Sequence, residues 1–238
     1  MSTLSSVVSF ALFPASAVLV GACITFVREP GAAMRSVVQH FAAGVIFCVL
    51  ATELLPDLVH RRMPWMTLGG FTVGVALMLL LKWAGQSEVE VESKNPTGLL
   101  TALGVDVALD GVLIGLSLAA GERQGLLLTI ALVLELFFLG VSCATSLTGL
   151  GKKRKNIVLV NLALALILLS SAAIGALVLS NVSPAYVDAI LAFGVAALLY
   201  LVTEELLVEA HEGKDTPLQT GMFFLGFIAL FMVDMLLS

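Results

Sequence analysis

The sequence predicts an all-α integral membrane protein with eight transmembrane helices in a 3+2+3 arrangement. Three observations carry that prediction. The chain of 238 residues is 59% hydrophobic and only 12% charged, and its mean hydropathy is +1.07. A soluble domain of this length cannot bury so large an apolar share. Eight apolar runs are long enough to cross a bilayer. A short motif near the end of the second run returns near the end of the seventh.

The eight runs are Ser5–Val27, Val37–Val59, Trp65–Gly85, Thr97–Gly121, Gly125–Gly149, Ile157–Ser180, Ala185–Ala210 and Thr220–Leu237. The first has no basic segment ahead of it and reads as a retained span, not a cleaved signal. Turn residues separate the runs: Arg28-Glu29-Pro30-Gly31, Arg61-Arg62-Met63-Pro64, Asn181-Val182-Ser183-Pro184 and Gly213-Lys214-Asp215-Thr216-Pro217. The longest connection, Gln86 to Pro96, carries Glu88, Glu90 and Glu92 and reads as a solvated loop or a weak cation collector. Connections this short leave residues 1–238 as a single transmembrane domain. Cys23, Cys48 and Cys143 fall inside apolar runs without metal-type spacing and read as small buried hydrophobes.

The second run ends Ala51-Thr52-Glu53-Leu54-Leu55-Pro56-Asp57, with His60 seven residues after Glu53. The seventh ends Val202-Thr203-Glu204-Glu205-Leu206-Leu207-Val208-Glu209, with His211 seven after Glu204. A turn and a glycine-bearing run follow each. Runs two and seven are an odd number apart, so they cross in opposite directions. Runs 1–3 and 6–8 then form inverted repeats around a central pair, 4 and 5. Lys and Arg set the orientation. Arg28, Arg35, Lys82, Lys94, Lys152, Lys153, Arg154, Lys155 and Lys214 fall on one side, against Arg61, Arg62 and Arg123 on the other, which places both termini outside.

The central pair holds the chemistry. Asp106 and Asp110 are one helical turn apart on run 4, and Glu135 is on run 5. Asp110 lies twelve residues before Glu122 in the intervening turn, and Glu135 thirteen after it. At 1.5 Å per residue both are about 18–20 Å from that turn, near mid-depth of a hydrocarbon core about 30 Å thick. A charge there costs roughly 2.5–3.5 kcal/mol on insertion scales. No Lys or Arg lies in the middle of any span to pair with them, and Lys82 is expected to snorkel to the interface. Three ionised carboxylates at one depth repel, so protons or a cation must offset the charge. That arrangement suits a cation site exchanging metal for protons. A polar cluster joining two helices is the alternative. All-oxygen ligands favour Mn²⁺, Mg²⁺, Ca²⁺ or Fe²⁺, although zinc also binds carboxylates.

Phe41-Ala42-Ala43-Gly44 leading into Thr52-Glu53-Leu54-Leu55-Pro56-Asp57 resembles span 2 of the ZIP (Zrt/Irt-like) metal transporters. Asp110-Gly111-Val112-Leu113-Ile114-Gly115 is similar to the end of their span-4 motif, His-Asn-x-x-(Glu/Asp)-Gly, and Glu204 to Gly226 to their last two spans. Asp106 then takes the motif's His position, Val107 its Asn position and Asp110 its acidic position. Anchored on Gly140, Glu135 takes the place of the span-5 His, while Leu136 and Leu139 replace two acids. Span 6 offers only Asn161, Ser170 and Ser171. The resemblance therefore implies one metal site where family members often hold two. It also implies an entrance ligand at Asp234 and an exit past Glu204, Glu205 and His211, with Glu204 the deepest. An interfacial acid at a frayed helix end is the alternative for Asp234, and solvated helix ends are the alternative for Glu204, Glu205, Glu209, His211 and Glu212.

The expectation is a divalent-cation transporter moving Zn²⁺, Mn²⁺, Fe²⁺ or Cd²⁺, with the ion as cargo and no prosthetic group. Its expected partners are the lipid bilayer and metal ions; nucleic acid is not one. The family resemblance implies a homodimer, and the compact loops suit a bacterial inner membrane. Alternatively, a degenerate ZIP-like protein senses metal or carries another cation or a proton. The Glu204-Glu205 pair also resembles the dipeptide of glutamate-type membrane proteases. That chemistry needs histidines or metal ligands inside the membrane, whereas His40, His60 and His211 lie at span ends, so no enzyme is expected.

Overall fold

The computed structural model describes residues 2–27, 31–89, 96–120, 122–180, 184–211 and 216–237, and these hold helices and turns but no strand. The helices are α1 (Ser2–Thr25), α2 (Ala32–Val49), α3 (Leu55–Arg61), α4 (Pro64–Val89), α5 (Pro96–Ala120), α6 (Glu122–Gly149), α7 (Arg154–Ser180), α8 (Pro184–Tyr200), α9 (Leu207–Ala210) and α10 (Pro217–Leu237). A π turn, Leu50–Leu54, joins α2 to α3 in one rod, and another, Leu201–Leu206, joins α8 to α9.

Local sequence explains where these helices begin and stop. Pro64, Pro96, Pro184 and Pro217 each stand at a first helical position, where a missing N–H costs nothing. Gly151, at φ +70°, closes α6: its N–H bonds to Thr148 O at 2.9 Å and that of Lys152 to Leu147 O at 3.0 Å. That pair of bonds satisfies carbonyls the helix end leaves open. The first π turn has a proline cause, because Pro56 cannot donate to the carbonyl of Thr52 and its ring crowds that carbonyl. Both π turns also hold a threonine that bonds back to the turn before it. Thr52 Oγ1 donates to Cys48 O at 3.0 Å and Thr203 Oγ1 to Leu199 O at 2.8 Å. Such back-bonding bends helices. The loop expected from Gln86 is corrected in part, since α4 continues to Val89. Nothing between Gly85 and Pro96 breaks a helix. Glu90 to Asn95 lie outside the described residues.

Glycines set the packing. A Cβ on Gly115 of α5 would meet Ala172 O of α7 at 2.3 Å, and one on Gly175 of α7 would meet Val112 O of α5 at 2.6 Å. On the other side of the centre, a Cβ on Gly140 of α6 would meet Val18 O of α1 at 2.1 Å, and one on Gly21 of α1 would meet Phe137 O of α6 at 2.0 Å. Close approach of this kind lets backbones pack without large side chains between them. In the same way, Gly44 and Gly226 seat α2 on α10, and Gly70 and Gly74 seat α4 on α8. The helices α1, α5, α6 and α7 pack on one another, with the α2–α10 and α4–α8 pairs beside them.

Seven helices among the described residues are long and apolar enough to cross a membrane. The helix α5 adds a further 25-residue apolar segment. Leu68, Val73, Leu80 and Trp83 on α4 and Leu218 and Phe224 on α10 face outward, while Ile46, Ile114, Leu128, Leu132 and Leu198 fill the interior. Apolar side chains on both faces mean the surrounding solvent is lipid. The chain is an all-α integral membrane protein.

Candidate metal centre

Asp106 and Asp110 project from one face of α5, and Glu135 comes from the neighbouring α6. One ligand atom from each lies within 4.8 Å of the other two. Asp110 and Glu135 are buried, and Asp106 is partly so. The glycine contacts fix their level: Asp110 is five residues before Gly115 and Glu135 five before Gly140. The depth expected from counting residues therefore brings all three acids together.

Their hydrogen bonding is incomplete. Asp110 Oδ2 and both carboxylate oxygens of Glu135 are buried without a partner. Leaving such a group unsatisfied costs about 1–3 kcal/mol, and more when it is charged. The ion pairs Arg61–Asp57 and Lys82–Glu204 do not reach the cluster. A cation of the right size would accept these lone pairs and cancel the repulsion together.

A cavity of about 90 Å³ reaches Asp106 and Glu135. Gln39, Leu103, Ser142 and Glu205 also line it. These four lie toward the end of the bundle that carries Lys152, Lys153 and Arg154. On the other side of the cluster Ile46, Ile114, Leu128 and Leu132 are fully buried. A second space beside Asp106 and Asp110 measures about 10 Å³, room for about one water.

The remaining site residues divide. Glu205 lines the cavity with Asp106 and Glu135. Glu204 does not: its Oε2 pairs with Lys82 Nζ at 2.6 Å on an exposed face. Glu204 is expected to be the deepest of the exit residues, yet it is Glu205, its neighbour within the wide π turn, that lines the cavity. Lys82, expected to snorkel to the interface, is exposed, pairs with Glu204 and lies 5.9 Å from the Tyr200 ring centroid. Asp234 is buried, as is Glu53, and both lie near the Cys48 thiol of α2. Neither belongs to the three-carboxylate cluster, and Asp234 is buried where a frayed, interfacial helix end would be exposed. His211 is exposed and its Nδ1 donates to Leu207 O. Glu209, Glu212 and the Glu90–Glu92 stretch carry side chains outside those described.

Sequence reasoning missed two residues. His40, read as lying at a span end, is 1% exposed and packs its ring on His211, the centroids 4.8 Å apart. Asp188 of α8 is fully buried and accepts a hydrogen bond from Thr67 Oγ1 at 2.7 Å. A polar residue eight positions into an apolar helix was the available signal for His40. Of the cysteines, Cys48 and Cys143 are buried as expected, but Cys23 is exposed. Asn161 of α7 donates a side-chain hydrogen bond to Ile157 O at 2.9 Å. Compared with known proteins, the chain matches no family model, and no curated protein sequence matches it.

Proposed function

We propose that the chain is a divalent-cation transporter of ZIP-like architecture that moves one ion at a time through Asp106, Asp110 and Glu135. The observation that carries this reading is the cluster itself: three carboxylates within 4.8 Å, with buried unpartnered oxygens, in a lipid-facing bundle. Scaffolding alone gives no reason to keep three repelling acids at one depth. Val107 and Leu136, at positions where the family offers ligands, are buried core residues, which supports a single ion.

The 3+2+3 inverted repeat draws support from matched contacts. Gly21 and Val18 of α1 face Phe137 and Gly140 of α6 as Gly175 and Ala172 of α7 face Val112 and Gly115 of α5. The spacing is the same in both sets, and it makes Asp110 and Glu135 equivalent. The two π turns coincide with the repeated Thr-Glu motif. In this reading α5 and α6 are the central pair, and the ion sits near the repeat axis at mid-membrane. Ions enter past Asp234 and leave through the cavity past Glu205, toward the lysine-rich inner side of a bacterial inner membrane, with both termini outside. A homodimer is the expected assembly.

Uptake of Mn²⁺, Fe²⁺, Zn²⁺, Cd²⁺ and Co²⁺ into proteoliposomes tests the proposal. Saturable flux that Asp110→Asn abolishes is expected. No flux of any ion through folded, inserted protein would overturn transport. The apolar second-site positions favour a second reading, a metal sensor, and binding without flux would select it.

A further inference from the structure

Lys152, Lys153, Arg154 and Lys155 are all exposed and stand together where α6 ends and α7 begins. No acid lies in the first turn of α7, and among the described residues no carboxylate pairs with any of the four. Positive sidedness explains why such charges collect at one end of the bundle. It asks nothing of where they sit on the lipid-facing surface, and here that place is defined. The Arg154 guanidinium lies over the ring of Phe26, in the turn after α1, at 5.3 Å from its centroid. Phe26 is itself packed on the core. The contact ties the charge to the seam between α1 and α7, which pack on one another. An aromatic face is no hydrogen-bond acceptor of the ordinary kind, so the guanidinium keeps its fork of N–H donors for an anion.

An apolar lane runs away from these charges. Val20, Ile24 and Val27 at the end of α1 and Leu159, Leu162 and Leu166 of α7 are exposed. On each helix they recur every three or four residues and so line one face. Lys155 and Leu166 are eleven residues apart, about 16 Å along the axis, against half of a hydrocarbon core about 30 Å thick. A basic cluster above an apolar lane one leaflet deep matches the outline of a phospholipid, phosphate at the top and acyl chains beneath. A zwitterionic headgroup brings an ammonium that the four cations repel, whereas an anionic one does not. We infer that the α1–α7 seam is a docking site for an anionic phospholipid, its phosphate held by Arg154 and the three lysines and its chains lying along α1 and α7. None of these residues belongs to the carboxylate cluster, so the site stands apart from the transport reading.

Phosphatidylglycerol is the probe. Full-length protein in detergent is mixed with equal amounts of phosphatidylglycerol and phosphatidylcholine and read by native mass spectrometry, which counts the lipids on intact protein. Wild type is expected to favour phosphatidylglycerol at least roughly fivefold for the first lipid bound, and Arg154→Gln to lose roughly fivefold of its affinity. Phe26→Leu keeps every charge and removes the ring under the guanidinium, and it is expected to lower the preference too. Arg62→Asn, at the far end of the α2–α3 rod, is expected to leave it unchanged. Glycerol phosphate, which has the phosphate without the chains, is expected not to displace the lipid at equal concentration. Equal retention of the two lipids by wild type would overturn the inference. So would a preference that survives both Arg154→Gln and Phe26→Leu in folded protein, one that Arg62→Asn lowers as much as Arg154→Gln, or displacement of the lipid by glycerol phosphate.

Discussion

The energetics of the site reduce to a few oxygen atoms. Asp110 and Glu135 together bury three oxygens without partners, so the cation-free bundle carries a cost that binding removes. In a chelator, Asp110→Asn is therefore expected to be at least as heat-stable as wild type. Mn²⁺ at a hundred times its Kd is expected to stabilise wild type by about 2.7 kcal/mol and to leave Asp110→Asn unmoved; thermal unfolding in detergent measures both. Glu205 and Glu204 separate cleanly as well. Glu205→Gln is expected to weaken Mn²⁺ binding roughly 10–100-fold, as loss of a supporting group does, whereas Glu204→Gln removes only the surface pair with Lys82 and leaves affinity unchanged. Equal effects in a titration would contradict the assignment. Counting residues from a turn made the three-acid cluster legible in sequence, because helical rise is constant. The choice of Glu205 over Glu204 was not legible, since a threonine is common in regular helices and Thr203 alone does not announce the register shift of a π turn. For His40 the position inside an apolar helix was the only signal, because its burial depends on α9 folding over it.

Helices here meet through glycine, and that gives the next prediction. Gly115→Val and Gly140→Val would each place carbon within 2.3 Å of a backbone oxygen, so the helices must part. Destabilisation above the roughly 1–3 kcal/mol usual for overpacking is expected. Gly69 and Gly221 also lie in helices, but a Cβ added at either would meet nothing within 4 Å. Their alanine variants are expected to be neutral or slightly stabilising, by up to about 1 kcal/mol. Thermal midpoints of the four variants decide it; similar losses in all would mean that glycine acts through backbone freedom and not through close approach. Element positions were largely legible. Every apolar run overlaps a helix, and prolines marked four of the starts. The continuation of α4 to Val89 was missed because acidic residues look like a loop when only hydropathy is read.

At the scale of the molecule, two matched sets of glycine contacts lie five residues beyond Asp110 and five beyond Glu135, and a cavity that reaches Asp106 and Glu135 is lined toward the end that carries Lys152. Cysteine accessibility in whole cells is expected to place Lys152 inside and Arg61 outside; the opposite labelling would reverse the proposed direction of exit. The global pairing of helices was beyond the sequence, because apolar runs of similar composition do not state their partners. The central claim is that Asp106, Asp110 and Glu135 together hold one divalent ion. Anomalous scattering from crystals grown in excess Mn²⁺ locates that ion directly. The account predicts a single strong peak among the three carboxylates, roughly 2.0–2.6 Å from their oxygens as for hard cations, and no such peak in Asp110→Asn. An empty cluster at saturating Mn²⁺, or a dominant peak elsewhere in the bundle, would contradict it.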